Sequence, residues 1–156
     1  MTESEGKTLA ERYCSGAEHC LYEVRVMLER HKTEKADIEL VLAHLVREGY
    51  IDESRYAEAF VHDKVRFAKW GRVKISQALW QKRIPQDIAD RALDQIDEDE
   101  YMTALNDVVK SRYRLVKGAT EYERKLKTMK TVCSRGYEPA LVRKVLNMSD
   151  ACDMDF

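Results

Sequence analysis

Residues 51–93 read IDESRYAEAFVHDKVRFAKWGRVKISQALWQKRIPQDIADRAL, and their apolar residues recur at the three-to-four-residue spacing of helices, not at the alternation of strands. The pattern repeats outward on both sides. Under a shift of 51 residues Leu9 falls on Phe60, Val24 on Ile75, Leu28 on Leu79, Ile38 on Ala89, Leu42 on Leu93 and Leu45 on Ile96. A further shift of 53 brings Leu79 onto Val132, Ile84 onto Tyr137, Ala89 onto Val142 and Leu93 onto Leu146. Tyr56, Ala57 and Phe60 match Tyr101, Met102 and Leu105 at a shift of only 45, so the third copy carries eight extra residues around LVKGATEY and a longer first turn. Apolar meets apolar throughout, the signature of a repeat array.

Helix ends follow from local chemistry. Ser15 with Glu18, and Thr120 with Glu123, have the spacing of a capping box and are expected to open second helices. The equivalent point in the middle copy is Gly71, which has no capping hydroxyl, so that turn is expected to be held less tightly. Pro85 and Pro139 suit the first turn of third helices, where a missing N–H costs nothing. Gly49 and Gly136 suit left-handed helix stops. Helices of about a dozen residues are marginal alone in water, so each requires its neighbours' apolar faces. The expected fold is all-α: three tandem three-helix repeats forming an elongated, curved array. Repeat 1 spans 1–52, repeat 2 spans 53–97, repeat 3 spans 98–148, and an acidic tail spans 149–156. The stripes Tyr56, Phe60, Phe67 and Tyr122, Leu126, Met129 are read as core.

The composition agrees with a helical soluble chain: 156 residues, 35% charged, 44% hydrophobic, with two prolines and six glycines. No run approaches the ~20 apolar residues of a membrane span, and MTESEGK does not resemble a secretory signal, so no membrane partner and a cytoplasmic location are expected. Cys14, Cys20, Cys133 and Cys152 are too irregularly spaced for a disulfide framework, and Cys14, His19 and Cys20 fit no familiar zinc pattern. His19, His31, His44 and His62 are scattered and read as solvated. With no glycine-rich phosphate loop, nucleophile elbow or His-Glu-x-x-His present, neither an enzyme nor a cofactor is expected.

Charge is more informative. The formal net charge is −1, yet residues 1–53 hold seven basic and twelve acidic side chains (−5), residues 54–93 nine and four (+5), and residues 101–148 eleven and four (+7). The remaining acids lie in DQIDEDE and in the tail SDACDMDF. Between Lys64 and Arg83 stand seven basic residues and no acid, so the usual i,i+4 lacing is missing. Arg55, His62, Arg66 and Lys69 share one helix face, as do Lys110, Arg114 and Lys117. Clustered cations without internal partners attract a polyanion, either nucleic acid or an acidic protein surface. The candidate binding residues are therefore Arg55, Lys64, Arg66, Lys69, Trp70, Arg72, Lys74, Lys82, Arg83, Lys110, Arg114, Lys117, Arg124, Lys125, Lys127 and Lys130. Trp70 and Trp80 stand beside basic residues, and the core positions around Trp80 are already filled by Ile75 and Leu79, which suggests stacking or docking. Without a base-reading pattern, contacts to DNA are expected to be to phosphates and independent of sequence.

The ordered pattern in 51–93 resembles the RecX family of regulatory proteins. It comprises Asp52 and Glu53, then Arg55-Tyr56-Ala57, Phe60, a basic stretch, Gly71, Ile75, Leu79, Lys82 and Ile84, and SRGYEPALVRKVLN (134–147) resembles the family's closing helix. Arg83 stands where the family usually has glycine. The resemblance implies a monomeric, non-enzymatic modulator of the RecA recombinase, acting in DNA repair, homologous recombination and the SOS response. Such a protein lies in the groove of the RecA filament, inhibits its recombinase, ATPase and co-protease activities, and binds single- or double-stranded DNA without sequence preference. The alternative is a tandem helix-turn-helix-like DNA-binding regulator, for which Gln77 and Gln81 are the only base-reading candidates on the middle copy's basic helix. Reversing the charge of Arg66, Lys69, Arg72 and Lys74 together is expected to leave the fold intact.

Overall fold

The computed structural model describes residues 1–148; the acidic tail and Cys152 lie outside the described residues. The described residues form α1 (Glu3–Gly16), α2 (Leu21–Arg30), α3 (Lys35–Arg47), α4 (Glu53–Asp63), a π-helical turn (Lys64–Ala68), α5 (Arg72–Gln81), α6 (Gln86–Asp94), α7 (Glu98–Leu115), α8 (Glu121–Ser134) and α9 (Pro139–Val145). All regular structure among the described residues is thus helical.

Most helix starts obey local chemistry. The side chains of Thr2, Asp97 and Thr120 accept from the backbone N–H of Glu5, Glu100 and Glu123 at 3.2, 3.1 and 3.1 Å. Pro139 is the first residue of α9. Pro85 lies just before α6, its carbonyl accepting from Ala89 N at 3.0 Å. Ser15 does not open α2. It lies inside α1 with its hydroxyl donating to Glu11 O at 2.7 Å, and α2 begins after Cys20, whose N–H donates to Glu23 Oε1 at 3.2 Å. The hydroxyl thus bonds back into its own helix instead of capping the next. The extra residues of the third copy go partly into α8, which has 14 residues where α5 has 10.

The links after α2, α5 and α8 share one build. Lys32 (φ 57°), Arg83 (φ 59°) and Gly136 (φ 98°) are left-handed, and the residue after each is buried: Thr33, Ile84 and Tyr137. Thr33 N donates to Leu28 O and Ile84 N to Leu79 O, both at 3.1 Å, closing the six-residue loop of a Schellman stop. Gly49 (φ 77°) and Asn147 (φ 56°) end α3 and α9 in the same way.

The chain divides into two compact units, Met1–Phe60 with Leu79–Ala92, and Val61–Ala78 with residues 93–148. The division falls within α4, α5 and α6. In the first unit α1, α2 and α3 pack on one another around Ala10, Val24, Leu28, Ile38, Val41, Leu42, Leu45 and Ile51. Each large aliphatic side chain buried there contributes roughly 1.5–3 kcal/mol. In the second unit α7 packs on α8, α9 and the π-helical turn. Its buried residues include Tyr101, Leu105, Met129, Val132, Tyr137 and Val142.

Two residues read as core are not. Phe67 is 74% and Tyr122 49% exposed, whereas Tyr56 and Met129 are buried. The π-helical turn widens the chain at 64–68, with Lys69 N and Trp70 N both donating to Lys64 O. That puts Phe67 out of phase with the buried face of α4. Tyr122 lies in the first turn of α8, beyond the residues the helix buries.

The turn before α5 is also held differently from the expectation. Its orphan N–H groups find acceptors in other elements: Gly71 N donates to Arg135 O (2.8 Å), Arg72 N to Tyr101 Oη (3.0 Å) and Val73 N to Gly136 O (3.0 Å). The turn is therefore tight, because tertiary acceptors replace the missing cap. Backbones touch here: a Cβ on Gly71 would sit 2.2 Å from Gly136 C, and one on Gly136 would sit 2.4 Å from Lys74 Cβ. We predict that Gly71→Ala destabilises the protein by about 3 kcal/mol, since backbone atoms have no rotamer to move to. A denaturant midpoint within error of the parent's would refute the contact. At Thr33 the buried hydroxyl has no hydrogen-bond partner where the equivalent residues are Ile84 and Tyr137. Thr33→Val is expected to raise stability by about 1 kcal/mol, measured by the same titration.

Candidate nucleic-acid interface

Many of the basic residues are neutralised by the chain's own carboxylates. Lys64–Arg83 has no acid of its own, but the fold delivers acids from elsewhere. Within the second unit Arg66 Nε lies 3.6 Å from Glu100 Oε1 and Lys69 Nζ 3.4 Å from Asp107 Oδ2. Arg72 bridges Glu138 (2.8 Å) and Glu98. Glu98 and Glu100 belong to the DQIDEDE run, whose last three residues form the first turn of α7, where carboxylates also complement the helix dipole.

Arg72 is a structural residue. Its guanidinium carbon lies 4.0 Å from the Tyr101 ring centroid, and the fully buried Tyr101 donates from Oη to Glu138 while accepting from Arg72 N. Burial pushes the Tyr101 hydroxyl well above the usual phenol range, and the Glu138 carboxylate adds to this. Tyr137, 5.4 Å from Tyr101 between centroids, is likewise pushed up, to about 12, chiefly by burial. Breaking a half-buried network by charge reversal leaves two carboxylates unpaired, so Arg72 cannot be reversed with the fold intact.

In the first unit Arg55 is engaged as well: Nε donates to the Glu18 carboxylate and Nη2 to Gly49 O at 3.0 Å. Lys82 Nζ lies 3.1 Å from Glu23, whose carboxylate also meets His19 at 3.1 Å. Burial would raise the Glu23 carboxyl, but hydrogen bonds from His19, Lys82 and Cys20 N outweigh it and hold it below the ordinary range. His19 stacks on Tyr13 at 3.7 Å, and His44 Nε2 lies 2.7 Å from Glu11, so these two histidines are half-buried partners and not solvated ones. Burial pushes the Cys14 and Cys20 thiols up to about 11, making both poor nucleophiles. Among the described residues no three His, Cys, Asp or Glu side chains are placed to hold a metal ion.

The remaining candidates fall into three groups. Lys125 and Lys127 pair along α8 with Glu121 (3.3 Å) and Glu123 (3.5 Å), exposed i,i+4 contacts worth a few tenths of a kcal/mol. Several cations rest on aromatic faces. Lys64 and Lys74 place their ammonium groups 4.5 and 4.3 Å from the Trp70 ring centroid, Arg83 lies 4.6 Å from Tyr22, and Arg124 lies 4.2 Å from Tyr113. For Lys74, Arg83 and Arg124 such contacts keep the charge available. Lys110, Arg114, Lys117 and Lys130 are exposed and have no ion pair among the described residues. Lys110 and Arg114 are one turn apart on the side of α7 opposite its buried Leu105 and Val109.

Sequence reasoning missed two cations. Arg135 donates from Nη2 to Ala68 O (2.7 Å) and from Nε to Lys69 O (3.2 Å), fastening the end of the π-helical turn. With Lys69, Asp107, Ser111, Arg112 and Thr131 it lines a cleft of about 270 Å³. Arg112 lies two residues from Lys110, hence on another face of α7, and so does not register in a one-face strip.

These are the features of an all-α chain assembled from short helices. The family model "RecX, second three-helix domain" matches residues 52–93, centred on α4–α6. The regulatory protein RecX of Chlorobium phaeobacteroides (strain BS1) is 31% identical over 139 residues, covering 89% of each chain. Among solved structures, a crystal structure of regulatory protein RecX has a TM-score of 0.84 at 20% identity, covering 93% of this chain and 71% of that one. RecX from Lactobacillus salivarius has a TM-score of 0.82 at 18% identity, covering 93% and 94%. The two structures establish the shared fold. With the identity to the Chlorobium protein along nearly its whole length, they leave a plain conclusion: the chain belongs to the RecX family of regulatory proteins.

The division between engaged and unengaged cations predicts stability. Arg72→Glu should cost about 3 kcal/mol or more, whereas Lys110→Ala, Arg114→Ala, Lys117→Ala and Lys130→Ala combined should stay within about 1 kcal/mol of the parent. Thermal melts at one salt concentration check both; an undisturbed Arg72→Glu protein would contradict the structural role.

Proposed function

We propose that this chain is a non-enzymatic regulator that binds the RecA filament on DNA and inhibits its recombinase, ATPase and co-protease activities. Membership of the family supports the regulatory half of this reading. The observation that carries the DNA half is the set Lys110, Arg114, Lys117 and Lys130, cations that no carboxylate of the described residues neutralises. Cations of this kind release condensed counterions when they meet phosphates, which favours binding to any sequence. Lys74, Arg83 and Arg124, resting on aromatic rings, form a second reserve of positive charge. Arg55, Arg66, Lys69, Lys82, Lys125 and Lys127 can contribute only by exchanging an internal carboxylate for an external one, and Arg72 serves the fold.

In this reading the monomer acts in the cytoplasm as three three-helix repeats, 1–52, 53–97 and 98–148, and several modest contacts to successive filament protomers add up through avidity. The helix-turn-helix alternative is less well supported, because α5, its basic helix, has Arg72 and the adjoining Lys82 held by the chain's own acids.

Two measurements test this. Added to RecA filaments preformed on single-stranded DNA, the protein should progressively abolish ATP hydrolysis; undiminished hydrolysis at saturating protein would overturn the inhibitor reading. The quadruple alanine variant at Lys110, Arg114, Lys117 and Lys130 should bind duplex DNA with a log K against log salt slope smaller by about 3–4, at roughly 0.9 per phosphate contact. A slope parallel to the parent's would place the DNA contacts elsewhere.

A further inference from the structure

A cleft in the first unit matches a different part of a nucleic acid. Tyr22, Trp80, Gln81, Arg83, Ile84 and Gln86 line an open cleft of about 730 Å³. Trp80 stands 74% exposed near the end of α5, while Ile75 and Leu79 supply that helix's fully buried positions, so most of its indole surface is open to solvent. Arg83 follows in the left-handed conformation (φ 59°), where a non-glycine residue costs about 1 kcal/mol or more. That conformation ends α5 as Lys32 ends α2, and the guanidinium lies 4.6 Å from the Tyr22 ring centroid. The lining contains one cation and no carboxylate. Gln86 Nε2 donates to Asp90 Oδ1 at 2.7 Å, which leaves its amide oxygen as an acceptor facing outward from that bond.

We infer that this cleft takes one unstacked base of a single-stranded nucleic acid, the base lying on Trp80, its edge reaching the amides of Gln81 and Gln86, and its phosphate reaching Arg83. The inference rests on the proposed action on DNA and adds a base-stacking site to the phosphate contacts of α7 and α8. The lining selects this occupant over an apolar peptide side chain: Ile84 is its single aliphatic residue, and π faces, amides and a guanidinium make up the rest. It selects a single strand over a duplex because a base paired within a duplex offers no free face.

The test uses the full chain and two labelled 15-mers of equal charge, oligo(dT) and an abasic strand, with affinity read by fluorescence anisotropy. The parent should bind oligo(dT) about tenfold more tightly than the abasic strand, the scale of one base stacked on an aromatic ring. Trp80→Ala should lose that preference while keeping its abasic affinity, and Trp80→Phe should retain most of it. In a Trp70→Phe background, where Trp80 is the sole tryptophan, oligo(dT) should quench the emission and the abasic strand should not. Equal parental affinity for both strands overturns the stacking site and leaves the phosphate reading standing. Binding to neither strand overturns both. Loss of RecA binding in Trp80→Ala, with the oligonucleotide preference unchanged, would make the cleft a protein contact and also overturn the inference.

Discussion

The second unit depends on a place where two stretches of main chain meet without side chains between them. Gly71 and Gly136 let the start of α5 rest directly on the turn between α8 and α9. Only at that distance can Gly136 O and Tyr101 Oη take the N–H groups that α5 has no residue of its own to cap. The bonds fix the azimuth of α5, which sets where Arg72 points and lets Glu98 at the start of α7 and Glu138 just before α9 close on it. Backbone apposition, capping in trans and a half-buried ion network thus form one cooperative assembly, the arrangement in which polar groups contribute most to a unique structure.

The same assembly changes the meaning of the charge pattern. A run of seven basic residues without an acid looks exposed when neighbours are counted along the chain. In three dimensions the first turn of α7 acts as the counter-charge for the segment before α5, and Glu18 and Glu23 do so in the first unit. The unengaged positive surface thereby contracts toward the end of α7, its following link and α8.

Local rules were sufficient where chemistry is local. Helical spacing found the nine helices of the described residues, and the stops at Gly49 and Gly136 and the cap at Thr120 stand where their neighbours in sequence require them. Reading failed where a distant partner decides. Ser15 had an in-helix acceptor one turn back, Gly71 N and Val73 N had acceptors 64 and 63 residues downstream in Arg135 O and Gly136 O, and Phe67 was rotated outward by a π-helical turn that apolar spacing does not encode. The candidate site was legible as a set of residue types. Its sorting into caged, aromatic-supported and open cations was not, because carboxylates such as Asp107 and Glu138 lie dozens of residues from the groups they meet.

The internal pairs also have an entropic side. Sodium or chloride displaced from a surface disperses into bulk solvent, and that dilution drives much of the binding of proteins to polyanions. Glu100 and Asp107 are covalently tethered, so a newcomer that takes over Arg66 or Lys69 frees no ion from the protein's side and leaves a bared carboxylate that offsets part of the attraction. The α4–α5 junction should consequently be indifferent to sparse anions and yield only to a surface dense enough to compensate by direct attraction, a built-in threshold against casual encounters.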